Sequence, residues 1–156
     1  MNYLETIESE INTSGEELTF AGSASDSLIL EFEKEMGLKF PYSYTLFLKK
    51  FGALSFAGDT YYGATKSGLA ATSIPSVFFA TMKARSQGDA DSKMVVIQSS
   101  GYGPIYSIDT SINSGPNENP IIETELSFKR EPNKKIIFEN YELFLLSTIR
   151  KAIEEL

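Results

Sequence analysis

Asp109-Thr110-Ser111 closes an apolar run and sets a carboxylate beside two hydroxyls. That is the layout of a nucleophile, of a metal ligand, or of an Asx turn in which the aspartate accepts nearby backbone N–H groups. Glu123 and Glu125 alternate along an extended run and share a face, as the paired carboxylates of sugar hydrolysis must. Gly101-Tyr102-Gly103 follows an apolar run, as a phosphate loop would. No Gly-Lys-Ser/Thr comes after it, however, and an extended run rather than a helix follows. Glu31, Glu33 and Glu35 crowd one helix, yet a spacing of two residues turns successive carboxylates about 200° apart. In each case the plainer reading is preferred: a turn at 109–111, exposed strand carboxylates at 123 and 125, and a hairpin connection at 101–104.

What is missing narrows the chemistry further. The chain has no histidine and no cysteine, which removes imidazole relays, thiolate nucleophiles, disulfides and Cys- or His-ligated metals. A carboxylate–Mg²⁺ enzyme, a lysine base and a two-carboxylate glycosidase remain open. No resident metal or cofactor is expected.

These residues must be positioned by an alternation of helices and short strands. Leu4, Ile7 and Ile11 predict an amphipathic helix over 2–13, ended by Thr13-Ser14-Gly15. Leu18-Thr19-Phe20 reads as a brief extended stretch. Ser25 is a good cap for a second helix with Ile29, Phe32 and Met36 inward and Gly37 at its end. Pro41 opens a third, lined by Tyr44, Phe47, Leu48 and Phe51 and stopped by Gly52. Strand pieces at 55–57 and 61–63 flank a Gly58-Asp59 turn. Pro75 opens a helix to about Gln87 with Phe78, Phe79 and Met82 inward. Met94–Gln98 reads as a central strand covered on both sides. Strands at 105–109 and 121–124 bracket the polar loop 111–119, one or two more strands fall within 126–138, and a final helix runs over 140–155. Glu33 directly follows Phe32 in the buried stripe. It therefore needs a backbone N–H or a basic partner near the start of the third helix.

At 156 residues, with 42% apolar and 22% charged residues, the chain is expected to be one α+β domain, 1–156. Its expected form is a mainly antiparallel sheet packed on about four helices. The acidic MNYLETIESE start lacks a signal-peptide layout and no apolar run is long enough to span a bilayer, so a cytoplasmic location is expected. Charge is uneven. Residues 1–35 hold nine acids against Lys34 alone, a net of −8, while the rest nets +1. Such a block repels phosphate backbones and attracts basic surfaces, which disfavours nucleic acid as a direct ligand.

Residues 32–52, FEKEMGLKFPYSYTLFLKKFG, resemble the signature of the SUKH superfamily in Phe32-Glu33, Met36-Gly37, Phe40-Pro41, Tyr44, Phe47-Leu48 and Gly52. MVVIQSSGYGPIYSIDTS over 94–111, with Asp109 in its closing Asp-Thr-Ser, resembles the paired strands of that superfamily. Glu118-Asn119-Pro120-Ile121 and the terminal ELFL at 142–145 follow in order. Phe40 replaces the usual Leu, Ala53 stands where a second small glycine is frequent, and Trp is absent. The resemblance implies an α+β domain with a mainly antiparallel sheet packed against helices; the matched residues are mostly core positions by their own pattern, and so report the fold rather than a binding surface. It also implies, for bacterial members, neutralisation of a toxin that is often a nuclease, and for yeast members, cell-wall regulation.

The first expectation is thus a non-catalytic immunity protein acting on a basic partner. Exposed acids (Glu16, Glu17, Asp26, Asp59) would steer binding, and tyrosines (Tyr61, Tyr62, Tyr102) would anchor it. A regulatory or scaffolding module is the second, and a carboxylate-dependent hydrolase the third.

Overall fold

Asn2 caps the first helix by accepting the N–H groups of Leu4 and Glu5, and α1 (Tyr3–Ser14) ends where Gly15 turns left-handed. Its buried face is Tyr3, Leu4, Ile7 and Ile11. The Ser25 hydroxyl accepts the Leu28 N–H at the start of α2 (Asp26–Met36). That helix closes in a Schellman turn: the Leu38 N–H meets the Glu33 carbonyl at 3.2 Å and the Gly37 N–H meets the Lys34 carbonyl at 3.3 Å. The third helix, α3 (Tyr42–Lys50), begins one residue later than expected. Pro41 is its cap rather than its first helical residue, and so offers the helix start no side chain.

The computed structural model describes residues 2–99, 103–126 and 132–156. Among them the chain forms the expected α+β fold with antiparallel pairing throughout, its strands divided between two sheets and its helices numbering five. The smaller sheet orders β1 (Thr19–Phe20), β2 (Leu54–Phe56) and β3 (Asp59–Tyr61) in sequence; the larger orders β4 (Met94–Ser99), β5 (Ile105–Asp109), β6 (Ile121–Thr124) and β7 (Lys135–Phe138). The β2–β3 turn falls on Ala57 and Gly58, at φ 51° and 83°, which suits a tight hairpin. Asp59 is therefore a strand residue opposite Phe56, not a turn residue. The connection read at 101–104 lies partly outside the described residues.

β4 is buried on both faces as expected, yet it is an outer strand of its sheet. Its edge is covered instead of paired. The Thr81 hydroxyl on α4 (Val77–Ser86) accepts the Val96 N–H, and the Tyr62 N–H donates to the Ile97 carbonyl, tying the two sheets together. Burial in α4 falls on Val77, Thr81 and Ala84. Phe78 only partly packs on the core, Phe79 is half-buried and Met82 is exposed. The cap is Ser76, not Pro75, and packing against β4, where Thr81 meets the Val96 N–H, selects a different face from the one read in sequence.

α5 (Tyr141–Glu154) seals the core. Tyr141 lies 4.8 Å from Tyr44 and 5.3 Å from Phe47, ring to ring, and Phe144 extends the cluster at 5.7 Å. Each such pair adds about 0.5–1.5 kcal/mol beyond burial alone. The Tyr44 hydroxyl donates to the Tyr62 carbonyl at 2.8 Å, which anchors α3 to the end of β3.

Where α3 ends, three backbones cross. Gly22 N–H donates to the Phe51 carbonyl, Ala64 N–H to the Gly52 carbonyl, and Val77 N–H to the Gly63 carbonyl, all within 2.8–2.9 Å. Gly52 has a positive φ of 73°, and a Cβ there would strike the carbonyl oxygens of Gly22 and Ala64; one on Gly63 would strike that of Gly52. Gly58 also has positive φ but open space around it. Gly52→Ala and Gly63→Ala should each cost more than about 4 kcal/mol or prevent folding, while Gly58→Ala should cost only about 1–2 kcal/mol. Urea melts of the three variants check this. Equal losses at Gly52 and Gly58, which share a positive φ, would mean that backbone conformation, not the crossing, sets the cost.

Candidate functional site

The N-terminus of α3 needs a partner for its free N–H groups, and Pro41 supplies none. The polar loop 111–119 provides it from across the fold. Glu118 accepts the Ser43 N–H at 2.9 Å with one carboxylate oxygen and the Ser43 hydroxyl at 2.7 Å with the other. The Asn117 carbonyl accepts the Tyr42 N–H at 2.9 Å. Asn117 holds a φ of 56°, a left-handed position that asparagine tolerates. A negative charge at a helix start is favourable, so the cap is electrostatic as well as geometric. Tyr3 completes the junction by donating its hydroxyl to the Ser43 carbonyl at 2.6 Å, and burial pushes that phenol far above its ordinary pKa.

Between this loop and the segment preceding α3 lies a cleft of about 500 Å³. Its floor includes buried Phe40 and Pro41, and Tyr42 stands at its mouth, 60% exposed. Lys39 lines one wall and Lys93 the other, both exposed and neither in an ion pair among the described residues. Asn113 and Asn117 are exposed along the loop wall. The sequence reading set these five residues no task, because only the fold joins 38–45 to 93 and 110–119. The one signal present was Glu118, placed by resemblance without a role.

The expected site residues separate into four groups. Tyr61 and Tyr62 are core residues, which corrects their reading as exposed anchors. Tyr61 is fully buried with its ring 6.3 Å from that of Phe144, and the Tyr62 hydroxyl donates to the Ser99 carbonyl. Their strand closes against α5, so the adjacent aromatics serve packing. Tyr102 lies outside the described residues. Asp26 is exposed but bridged to Lys49 at 3.0 Å in the first turn of α2.

Glu16, Glu17 and Asp59 are exposed and come to one end of the molecule. The register that pairs Thr19 with Ser55 and Phe56 with Asp59 carries Glu17 and Asp59 to the hairpin end of the small sheet. α1 and α5 run parallel, with Tyr3 near Glu142 and Glu10 bonded to Arg150, so Glu154 and Glu155 finish beside Glu16. None of these five acids has a basic partner among the described residues. The rest of the N-terminal block is partly spent: Glu8 pairs with Lys50, Glu10 with Arg150, and Glu33 accepts the Phe40 N–H at 2.7 Å. Phe32, Tyr44, Phe47 and Leu48 are buried, Pro41 packs beneath the cleft, and Gly37 is the helix stop.

The groups that could do chemistry are occupied by structure. Asp109 is buried and makes the Asx turn, one oxygen accepting the Ser111 N–H at 3.0 Å and hydroxyl at 2.6 Å. Its other oxygen meets the Lys134 ammonium at 3.0 Å, and Lys134 also reaches Asp91 at 2.9 Å. Glu123 sits opposite Lys135, whereas Glu125 lies beyond the end of β6, so the two do not act as a pair on one strand. Among the described residues no three acids converge as a metal would require.

Two results should follow from these bonds. Glu118→Ala should cost about 1–2 kcal/mol by uncapping α3, measurable by thermal or urea melts; no loss would mean that water replaces the carboxylate. Around Lys134 the signs are defined. Burial pushes the Asp91 carboxyl up, but the Lys134 ammonium and the Lys93 N–H outweigh it and hold it below its ordinary range. Burial likewise pulls Lys134 down, and its two aspartates outweigh that and raise it. The contribution of Asp91 is full above its unfolded pKa of about 3.9 and fades as pH falls through the folded value. That of Lys134 is full below about 10.4 and fades as pH rises through its folded value. Lys134→Met should therefore cost about 3 kcal/mol near neutrality, with the gap to wild type narrowing at both extremes of pH. A gap independent of pH would assign the loss to packing alone.

The family model described as SMI1-KNR4 cell-wall, of the SUKH group, matches residues 26–145. That span runs from the first residue of α2 into the first turns of α5 and contains every element of the cleft. No curated protein matches the chain. With more than two thirds of its length matched, the chain belongs to the SUKH superfamily.

Proposed function

We propose that this chain is a non-catalytic immunity protein that binds a basic toxin, of the nuclease class, and neutralises it by covering its substrate surface. The observation that carries the proposal is the gathering of Glu16, Glu17 and Asp59 with Glu154 and Glu155 at one end of the molecule, unpaired among the described residues. Nucleases hold phosphates with lysine and arginine, so an acidic face can occupy the same surface. Unpaired surface carboxylates add little to stability, but they raise association rates strongly when the partner carries the opposite charge. Family membership supports a binding or regulatory role, and the chemistry-bearing acids spent on turns and caps support the absence of catalysis.

A second reading, a regulatory module without a toxin partner, is favoured by the cell-wall description of the matching family model. The two separate experimentally. The partner is captured on the immobilised chain at low salt and again at about 0.5 M salt, where screening shortens to a few ångströms. It is then assayed for nuclease activity. The triple variant Glu16→Lys, Glu17→Lys, Asp59→Lys should slow association at low salt by about ten-fold or more and leave dissociation nearly unchanged. Capture of a basic nuclease whose association the variant does not slow would move the interface away from this end. Capture of cell-wall factors alone would favour the regulatory reading.

A further inference from the structure

The cleft beside α3 has the opposite character to the acidic end. Glu118, the acid on its wall, has both oxygens engaged by Ser43 and faces a helix N-terminus, so its charge is offset. Thr110 and Ser111 on the same wall are also occupied, donating to the Lys93 carbonyl and the Asp109 carboxylate. What remains without a partner among the described residues is the ammonium groups of Lys39 and Lys93 on opposing walls, the side-chain amides of Asn113 and Asn117, and the Tyr42 hydroxyl and ring. In a chain with a net charge of −7 this is a local inversion of sign. Among the described residues neither lysine makes an ion pair, whereas Lys49, Lys50, Lys134 and Arg150 each do.

The cleft also continues. Lys39, Phe40 and Thr45 are shared with a shallower groove of about 340 Å³ between α2 and α3, which leads to Leu30, 64% exposed. The acids along that groove are engaged, Asp26 with Lys49 and Glu33 with the Phe40 N–H. A trough that is open along its length, with cations at one end and an apolar side chain at the other, is shaped for a strip of polypeptide more than for an enclosed small molecule.

We propose that this trough docks an extended acidic segment of a partner protein, its carboxylates between Lys39 and Lys93 and its apolar residues on Tyr42 and toward Leu30. The docking is independent of the toxin reading and uses a different surface. The occupant follows from charge complementarity, since the two lysines carry positive charge and can only donate, while the asparagine amides and the tyrosine hydroxyl can bond the donors or the acceptors of a peptide backbone.

The test uses the full chain labelled for amide NMR and titrated with a blocked peptide of glutamates flanking one tyrosine. Parallel titrations use inorganic phosphate and a lysine–tyrosine peptide. The acidic peptide should shift the amides of residues 39–45 and 110–119. The double variant Lys39→Glu/Lys93→Glu should weaken that binding by about ten-fold or more, with thermal stability unchanged because neither lysine is paired. The control Lys66→Glu/Lys151→Glu, exposed lysines elsewhere, should bind as wild type does. Shifts that miss the trough, or that survive the double variant, overturn the proposal. Phosphate reproducing the same shifts and displacing the peptide at equal concentration overturns the polypeptide occupant in favour of a small anion. The lysine–tyrosine peptide binding equally well removes charge as the basis. Because the acidic-end triple variant should leave this titration untouched, failure here and failure of the toxin reading are told apart.

Discussion

The crossing of three backbones at Gly22, Gly52 and Gly63 is the constraint on which the remaining arrangement depends. Side chains elsewhere can adjust, but carbonyl oxygens at the place where a Cβ would stand cannot. The crossing joins the end of α3 to the residues after β1 and β3, and through Val77 to the start of α4. Once α3 is fixed there, the Tyr44, Phe47 and Tyr141 rings meet and α5 has a surface to close against. The far end of α3 is then held in space opposite the loop 111–119, and the cleft is what lies between them. A glycine chosen for absent volume at one end of a helix thereby determines the shape of a binding surface at the other.

Carboxylates do much of the positioning. Glu33 holds the Phe40 N–H, Glu118 caps α3 and Asp109 folds the turn after β5, each at a place where a segment changes direction. All three receive backbone N–H groups, which stabilise a negative charge, and only Asp109 adds an ionic partner among the described residues, Lys134. This explains how an acidic chain can fold with few salt bridges, and it also lowers the prospects for catalysis. Glu118 and Asp109 are engaged on both oxygens, and a carboxylate held in that way is a poor base and a poor ligand.

Much of the fold was legible in the sequence, for reasons that can be named. Asn2, Ser25 and Asn140 bear the side chains that cap helices, Gly15 and Gly37 the freedom to end them, and the apolar stripes of α1, α2 and α5 keep one phase throughout. Met94–Ile97 read as central because periodicity reports burial and is blind to whether a neighbour is a strand or the hydroxyl of Thr81. Phe79 and Met82 read as core because size and type were visible, while the face of α4 that packs on β4 through Thr81 was not. Tyr61 and Tyr62 failed as anchors for a related reason: an aromatic pair is equally suited to an interface and to an interior, and only α5, some eighty residues away in sequence, decides. The acids Glu16, Glu17 and Asp59 were recoverable individually, since charge predicts exposure. Their assembly at one end depended on strand register, and the lysine-rimmed cleft depended on three distant segments meeting.

The two surfaces are far enough apart to act separately. Tyr3 and Ser43 place the cleft at the N-terminal end of α1, and Glu16 and Glu17 follow its C-terminal end. A helix of 12 residues spans about 18 Å. That is more than twice the screening length of about 8 Å at physiological ionic strength. Negative potential from the acidic end therefore fades before it reaches Lys39 and Lys93, which keep their attraction for carboxylates despite the net charge of the chain. A partner with a basic face and an acidic strand would be met by both ends of one short helix, and each contact would answer to salt and to mutation independently of the other. That separation is a property of the helix length and the screening length alone, and it holds whichever class of protein the partner belongs to.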